Sequence, residues 1–231
     1  MTRAGRRRVA PACLLALACA ALGTACSSPG PGPRVTPAPA PSFSDLPSTR
    51  PTRGERPDLG PAPADLHDAD WDHARVPGDF CHIAGSVELD ADSYDVTGES
   101  SLWGTVHVNR TPQEVVYGDV TGDGRDEAAL RVGCDNGGGT AAGDIAFGAV
   151  VLTSDRGRLR ALGTVTPQYE PDSGTHAALI GDLTLAREKV TAEEDWYRTS
   201  DATCCPTGVA VTVWSLSAGG TLTAGPPRVT S

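Results

Sequence analysis

The densest run of chemistry-bearing side chains is Gly118-Asp119-Val120-Thr121-Gly122-Asp123-Gly124-Arg125-Asp126-Glu127. With Asp119 as position one, oxygen-bearing side chains fall at one, three, five and nine: Asp119, Thr121, Asp123 and Glu127. Gly124 takes position six, where a calcium loop turns sharply, and the Arg125 carbonyl falls at seven. Alternating oxygens curl round a hard cation at about 2.3–2.6 Å, so the pattern suits calcium. It is not an EF-hand, because position twelve is Leu130 and the flanks read as strands. The competing reading is a tight turn in which each Asp bonds its own backbone.

Other clusters carry less chemistry. His67, Asp68, Asp70, Asp72 and His73 lie in one short stretch that could hold a transition metal. On a helix the two histidines fall on different faces, which favours a solvated polar surface. Asp172-Ser173-Gly174 is similar to a serine-protease nucleophile segment, but lacks the preceding Gly and any His in a matching setting. There is no Gly-x-Ser-x-Gly elbow. Cys81-His82 has no spaced partner cluster, and Gly137-Gly138-Gly139 has neither the Lys nor the Ser/Thr of a phosphate loop. Trp196-Tyr197 could stack a sugar ring or serve as core aromatics. Glu193-Glu194-Asp195 reads as a solvated acidic face. No catalytic set is assembled.

The elements that must position these residues read as short strands. Val106–Val108, Glu114–Val120, Glu127–Cys134, Ile145–Thr153 and Leu159–Val165 are β-branched or apolar runs separated by Gly, Asp or Pro. Ala178–Val190 and Val209–Leu216 read as further strands, with Val209, Val211 and Val213 on one face of the second. Ser154-Asp155-Arg156-Gly157 is a hairpin turn. Pro63–Arg75 predicts a short helix with Asp65 and Asp68 near its N-terminus. The expected fold is mainly β (α+β as the variant), an antiparallel meander sheet with one or two short helices.

Cysteine usage points to export. Cys81, Cys134, Cys204 and Cys205 are an even set, expected to form two disulfides. A bond between the neighbours Cys204 and Cys205 would be strained, so each is expected to pair with Cys81 or Cys134. A zinc site lacks any Cys-x-x-Cys pair.

The amino terminus is an address. Arg3, Arg6, Arg7 and Arg8 precede an uncharged apolar run, Ala10–Leu22, too short to span a hydrocarbon core about 30 Å thick. Residues 1–25 therefore read as a secretory signal peptide. Leu22-Gly23-Thr24-Ala25-Cys26 resembles a bacterial lipobox, which implies acylation of Cys26 (a palmitate-type anchor) at the mature N-terminus. Cys19 is a rival that lies inside the apolar run. Arg6-Arg7 leaves the export route, Sec or twin-arginine, open. Residues 26–65 carry the lipidated Cys and a disordered tether, with 11 of the 19 prolines between residues 27 and 65. Residues 66–231 are the single extracytoplasmic β-rich domain.

The chain of 231 residues has 19 Lys+Arg against 29 Asp+Glu, a formal charge of −10. Such a surface repels phosphate backbones, which excludes nucleic acid as a partner. The remaining partners are the membrane, through the lipid, and an envelope ligand or protein that the sequence does not name.

Two resemblances follow from these blocks. Gly118–Leu130 resembles one FG-GAP or VCBS-type repeat, whose loop commonly binds calcium. Position three is Thr121 where those repeats carry Asn or Asp, and one copy cannot close a propeller. The lipobox, the Pro-rich tether, GDVTGDGRDEAALRVGC and Cys204-Cys205-Pro206-Thr207-Gly208 together are similar to actinobacterial lipoproteins of the LppP/LprE type. That resemblance implies a location and an architecture but no activity. The sequence thus predicts a membrane-anchored, extracytoplasmic, non-enzymatic structural or ligand-binding module. The alternatives are a calcium-binding, adhesion-like module and a secreted hydrolase whose site the sequence hides.

Overall fold

A computed structural model describes residues 58–90, 92, 96–137, 143–171 and 176–231. The signal segment, Cys26, the Pro-rich stretch up to residue 57, Gly138-Gly139 and Asp172–Gly174 lie outside the described residues. In chain order the strands are β1 (Asp58–Pro61), β2 (Arg75–Pro77), β3 (Ser86–Glu88), β4 (Thr97–Ser100), β5 (Gly104–Arg110), β6 (Val116–Gly118) and β7 (Glu127–Asp135). There follow β8 (Asp144–Asp155), β9 (Arg158–Val165), β10 (Leu179–Ala186), β11 (Lys189–Trp196), β12 (Gly208–Leu216), β13 (Leu222–Ala224) and β14 (Arg228–Val229).

The strands form two antiparallel sheets and a ribbon. The first sheet runs β1-β9-β8-β7-β5-β4, with β6 sharing the β5 edge of β7. The second is the meander β10-β11-β12-β13, with β14 also on β12. β2 and β3 make the ribbon. At the β8–β9 hairpin Arg156 and Gly157 both have positive φ, 52° and 74°, the twist that a two-residue hairpin turn requires.

β7 and β8 are buried on both faces, which is why EAALRVGC and IAFGAVVLT read as near-continuous apolar runs. Ala128, Leu130, Val132 and Cys134 face one core with Leu66, Val76, Val106 and Leu152. Ala129, Ala149 and Val151 face the other, against Leu183, Val190 and Trp214 of the second sheet. The first sheet is therefore the middle layer. Arg131 fastens the layers, donating to the Glu114 carbonyl on one side and the Gly181 carbonyl on the other.

The mainly β, antiparallel expectation matches this architecture. Several details differ. Pro63–Arg75 forms no α-helix; Asp65 caps only a 3-10 turn, Leu66–Asp68, before the chain extends. A second such turn is Asp79–Cys81, and the described residues contain no α-helix. The run Ala178–Val190 is broken at Arg187-Glu188 into β10 and the start of β11, and Glu114–Val120 supplies only the three-residue β6. The folded domain also begins before residue 66: β1, placed in the tether by its prolines, pairs with β9, and Arg158 grips Asp58 at 2.8 Å. Pro61 sits at the end of an edge strand, where its missing N–H is harmless.

The disulfide connectivity is a further correction. Cys81 and Cys134, both buried in the first core with Cα atoms 6.0 Å apart, are bonded to each other. Cys204 and Cys205 are left joined as neighbours on an exposed loop after β11. Sequence adjacency argued against that pair, but β7 holds Cys134 inside the core while Cys204 and Cys205 lie outside it.

Candidate functional site

The Asp-rich loop is built inward upon itself. Asp119 accepts the backbone N–H groups of Gly122, Asp123 and Gly124 at 2.6, 3.1 and 3.0 Å. Gly122 and Gly124 have φ of 76° and 85°, conformations that favour glycine and let those amides converge on one carboxylate. Asp123 turns to Arg125, accepting its Nη2 at 2.6 Å and its backbone N–H at 2.9 Å. The Arg125 guanidinium, with that backbone bond next, holds the Asp123 carboxyl below its ordinary range. Glu127 is 1% exposed and accepts from Val120 N, Thr121 N, Thr121 Oγ1 and Thr153 Oγ1. It is a strut tying the loop to β7 and β8. Each of these three carboxylates is thus engaged by protein donors.

The His67–His73 cluster is dispersed. His67 bonds Asp65 and stacks on Tyr117 at 3.9 Å, while Asp72 pairs with Arg110 at 3.1 Å. His73 donates from Nδ1 to the Asp70 carboxylate at 2.9 Å, and its Nε2 lies 3.9 Å from both Asp90 and Asp92. These three side chains are on exposed or half-buried loop positions.

A larger concavity than those beside these two clusters lies elsewhere. A cleft of about 670 Å³ opens between the start of β8, the segment after β9 and the end of β11. Phe80, Trp103, Phe147, Tyr169, Trp196 and Tyr197 line it, in a chain with only three Phe, four Trp and four Tyr. Its size is that of small-ligand sites.

Each wall has an identifiable support. The Cys81–Cys134 bond and the Asp79 carboxylate, which accepts Thr164 Oγ1 at 3.0 Å, fix the turn carrying Phe80 and His82. His82, at φ 54°, meets Trp103 edge-on at 5.0 Å. Trp103 and Leu102, 37% and 63% exposed, form an apolar rim. On the opposite wall Trp196 pairs across the sheet with Gly208, where any Cβ would strike the indole, so the ring lies flat on bare backbone. Tyr169 packs against it at 5.0 Å, and Arg198 sits 5.1 Å from the ring centroid. The Tyr197 hydroxyl donates to the Thr203 carbonyl.

Glu194 holds the third wall. The acidic run was expected to be solvated, and Glu193 and Asp195 are partly so, but Glu194 is fully buried. Strand alternation turns it inward, where one carboxylate oxygen accepts the N–H groups of Gln168 and Tyr169, each at 2.8 Å.

No protein-family model, curated protein or solved structure matches this chain. The cleft's chemistry must therefore be read from its own residues. Asp79 and Glu170 line it, and its described lining contains no Lys or Arg. Burial first, then the charges of Asp144, Asp195 and Asp201, hold the Tyr197 phenol above its ordinary value. Burial likewise raises Asp144 and Asp195. Such a field disfavours anions and leaves aromatic faces for neutral or cationic groups. Of the sequence candidates, Trp196-Tyr197 and His82 of the Cys81-His82 pair belong to this site. Phe80, Trp103, Phe147 and Tyr169 were missed, because isolated aromatics carry no spacing signal. Among the described residues no helix is long and apolar enough to cross a membrane.

Proposed function

We propose that this chain is an extracytoplasmic lipoprotein, anchored through Cys26, whose folded domain is a non-enzymatic ligand-binding module of the cell envelope. The aromatic cleft is the binding site. The observation that carries this reading is the gathering of six aromatic side chains with two carboxylates, two histidines and no Lys or Arg in its described lining. The ligand class that fits is a neutral saccharide: its ring C–H groups are slightly positive and seat on the negative faces of Trp196 and Tyr169, while carboxylates accept its hydroxyls.

Titration of the protein with soluble cell-wall oligosaccharides, followed by tryptophan fluorescence and calorimetry, tests the site. Saturable binding lost in Trp196→Ala supports it; binding unchanged in that variant, or absent, removes it. Hydrolysis of the same oligosaccharides would move the reading to a hydrolase. The anchor is tested separately, by mass spectrometry of the mature N-terminus and by release of Cys26→Ala into the medium.

A further inference from the structure

The two disulfides differ in exposure and in the separation of the residues they join. Cys81 and Cys134 are 0% and 1% exposed and join segments 53 residues apart inside the first core. Cys204 and Cys205 are exposed neighbours on the loop between β11 and β12. Thiol–disulfide exchange requires a thiolate to approach a sulfur in line, so access decides which bond opens first. Breaking the exposed bond releases no core contact, since neither cysteine belongs to either core cluster.

The loop that carries this bond is closed at its base independently of it. Asp201 accepts the N–H groups of Arg198 and Thr207 at 2.8 and 2.9 Å, and the Thr207 hydroxyl at 2.8 Å. Arg198 returns a bond to the Thr207 carbonyl at 2.7 Å. These contacts keep the loop folded when its tip changes. At that tip the disulfide closes the smallest ring two residues can form, fixing the backbone on either side of the Cys204–Cys205 peptide. The preceding carbonyl, Thr203, is the acceptor of the Tyr197 hydroxyl at 2.9 Å, and Tyr197 lines the cleft.

We propose that Cys204–Cys205 is a reversible thiol–disulfide exchange site, opened by a dithiol reductant while Cys81–Cys134 stays closed, and that its state sets the wall of the cleft through Tyr197. A thiolate of the reductant attacks one sulfur and expels the other as a thiolate. The second thiol of the reductant then resolves the mixed disulfide, so the reductant leaves oxidised and two electrons and two protons reside on Cys204 and Cys205. Reduction frees the backbone at Thr203 and loosens the Tyr197 bond. This second step deepens the cleft reading as its regulation; the exchange chemistry does not depend on what the cleft binds.

The test is a graded dithiothreitol series on the folded full chain, with maleimide adducts mapped by peptide mass. Half-labelling of Cys204 and Cys205 is expected at a reductant concentration at least about ten-fold below that for Cys81 and Cys134. Labelling of both pairs together overturns the exchange site. Acrylamide quenching of tryptophan then reads the cleft: reduction and the double variant Cys204→Ser/Cys205→Ser should raise quenching equally, with far-ultraviolet circular dichroism unchanged. Tyr197→Phe should raise it in the oxidised protein and leave reduction without further effect. Unchanged quenching after complete labelling overturns the coupling while leaving both the exchange site and saccharide binding standing.

Discussion

The carboxylate of Glu194 accepts the backbone N–H of Tyr169 at 2.8 Å, so an acid buried on the second sheet positions an aromatic of the cleft. The same oxygen takes the N–H of Gln168. A segment between two strands, with Pro167 and Pro171 in it, has few ladder bonds of its own, and this carboxylate supplies what the sheet does not.

Glu194→Ala should leave both amides without their acceptor. An orphaned buried group costs about 1–3 kcal/mol, and these two amides are half-buried and so fall in the lower part of that range; urea unfolding should show a loss of about 2–4 kcal/mol together with weakened oligosaccharide binding. Glu194→Gln keeps an acceptor oxygen and should lose less. Equal losses in the two variants would mean that the hydrogen bonds are not the cause.

Gly208 offers a sharper probe of the opposite wall. A methyl group there meets the Trp196 ring carbons, so Gly208→Ala should displace the indole and destabilise by about 1–3 kcal/mol. Near-ultraviolet circular dichroism would register the lost packing. An unaltered spectrum would refute the stacking of indole on backbone.

For the Asp-rich loop the expected outcome is a melting temperature insensitive to calcium. Asp119, Asp123 and Glu127 already accept hydrogen bonds from the protein, and a cation would have to displace Arg125 from Asp123. Glu127→Ala should cost stability with or without calcium, because it removes the acceptor of two backbone amides. A calcium-dependent rise abolished by Asp123→Ala would restore the metal-binding, adhesion-like reading.

Removing the Cys81–Cys134 bond should be costly. A crosslink spanning 53 residues stabilises by about 4 kcal/mol through the unfolded chain. Cys81→Ala/Cys134→Ala should therefore lose about that much in equilibrium unfolding, while Cys204→Ser/Cys205→Ser should lose far less. Equal losses would contradict their different burial.

Acid dependence provides a fifth test. Burial, then Asp182, raises the folded Asp195 carboxyl above its unfolded value, and burial, Asp195 and Asp182 do the same for Glu193. Between the unfolded and folded values the native state binds more protons, so their contribution to stability falls as pH rises through that window. Asp195→Asn should thus be more stable than wild type at neutral pH, the advantage disappearing as pH falls below the ordinary carboxylate range. Asp201 acts in the opposite sense: the Arg198 N–H and Thr207 lower it, and its contribution is lost on acidification.

Strand content was legible because β-branched runs and turn residues are local signals. Arg156-Gly157 turns where its sequence says it must. The helix expected at Pro63–Arg75 failed because its acids are spent locally: Asp65 bonds His67, and Asp70 bonds Asp72 and His73. On β12 the alternating Val209, Val211 and Val213 do share a face, yet it is the outer one. Val213 is 43% exposed while Ala210 and Thr212 are fully buried. Which face of a strand turns inward depends on what packs there, and here Trp214 fills the core.

The sequence by itself determined the antiparallel β class, the short turns, the net acidity of the chain and the segment read as an export address. These are local or additive properties of neighbouring residues. Only the tertiary structure decided that Asp58–Pro61 joins the sheet, that Cys81 finds Cys134, that Glu194 turns inward and that six separated aromatics share one cleft. Those outcomes rest on contacts between residues far apart in the chain, where burial and hydrogen bonding override what each short segment prefers alone.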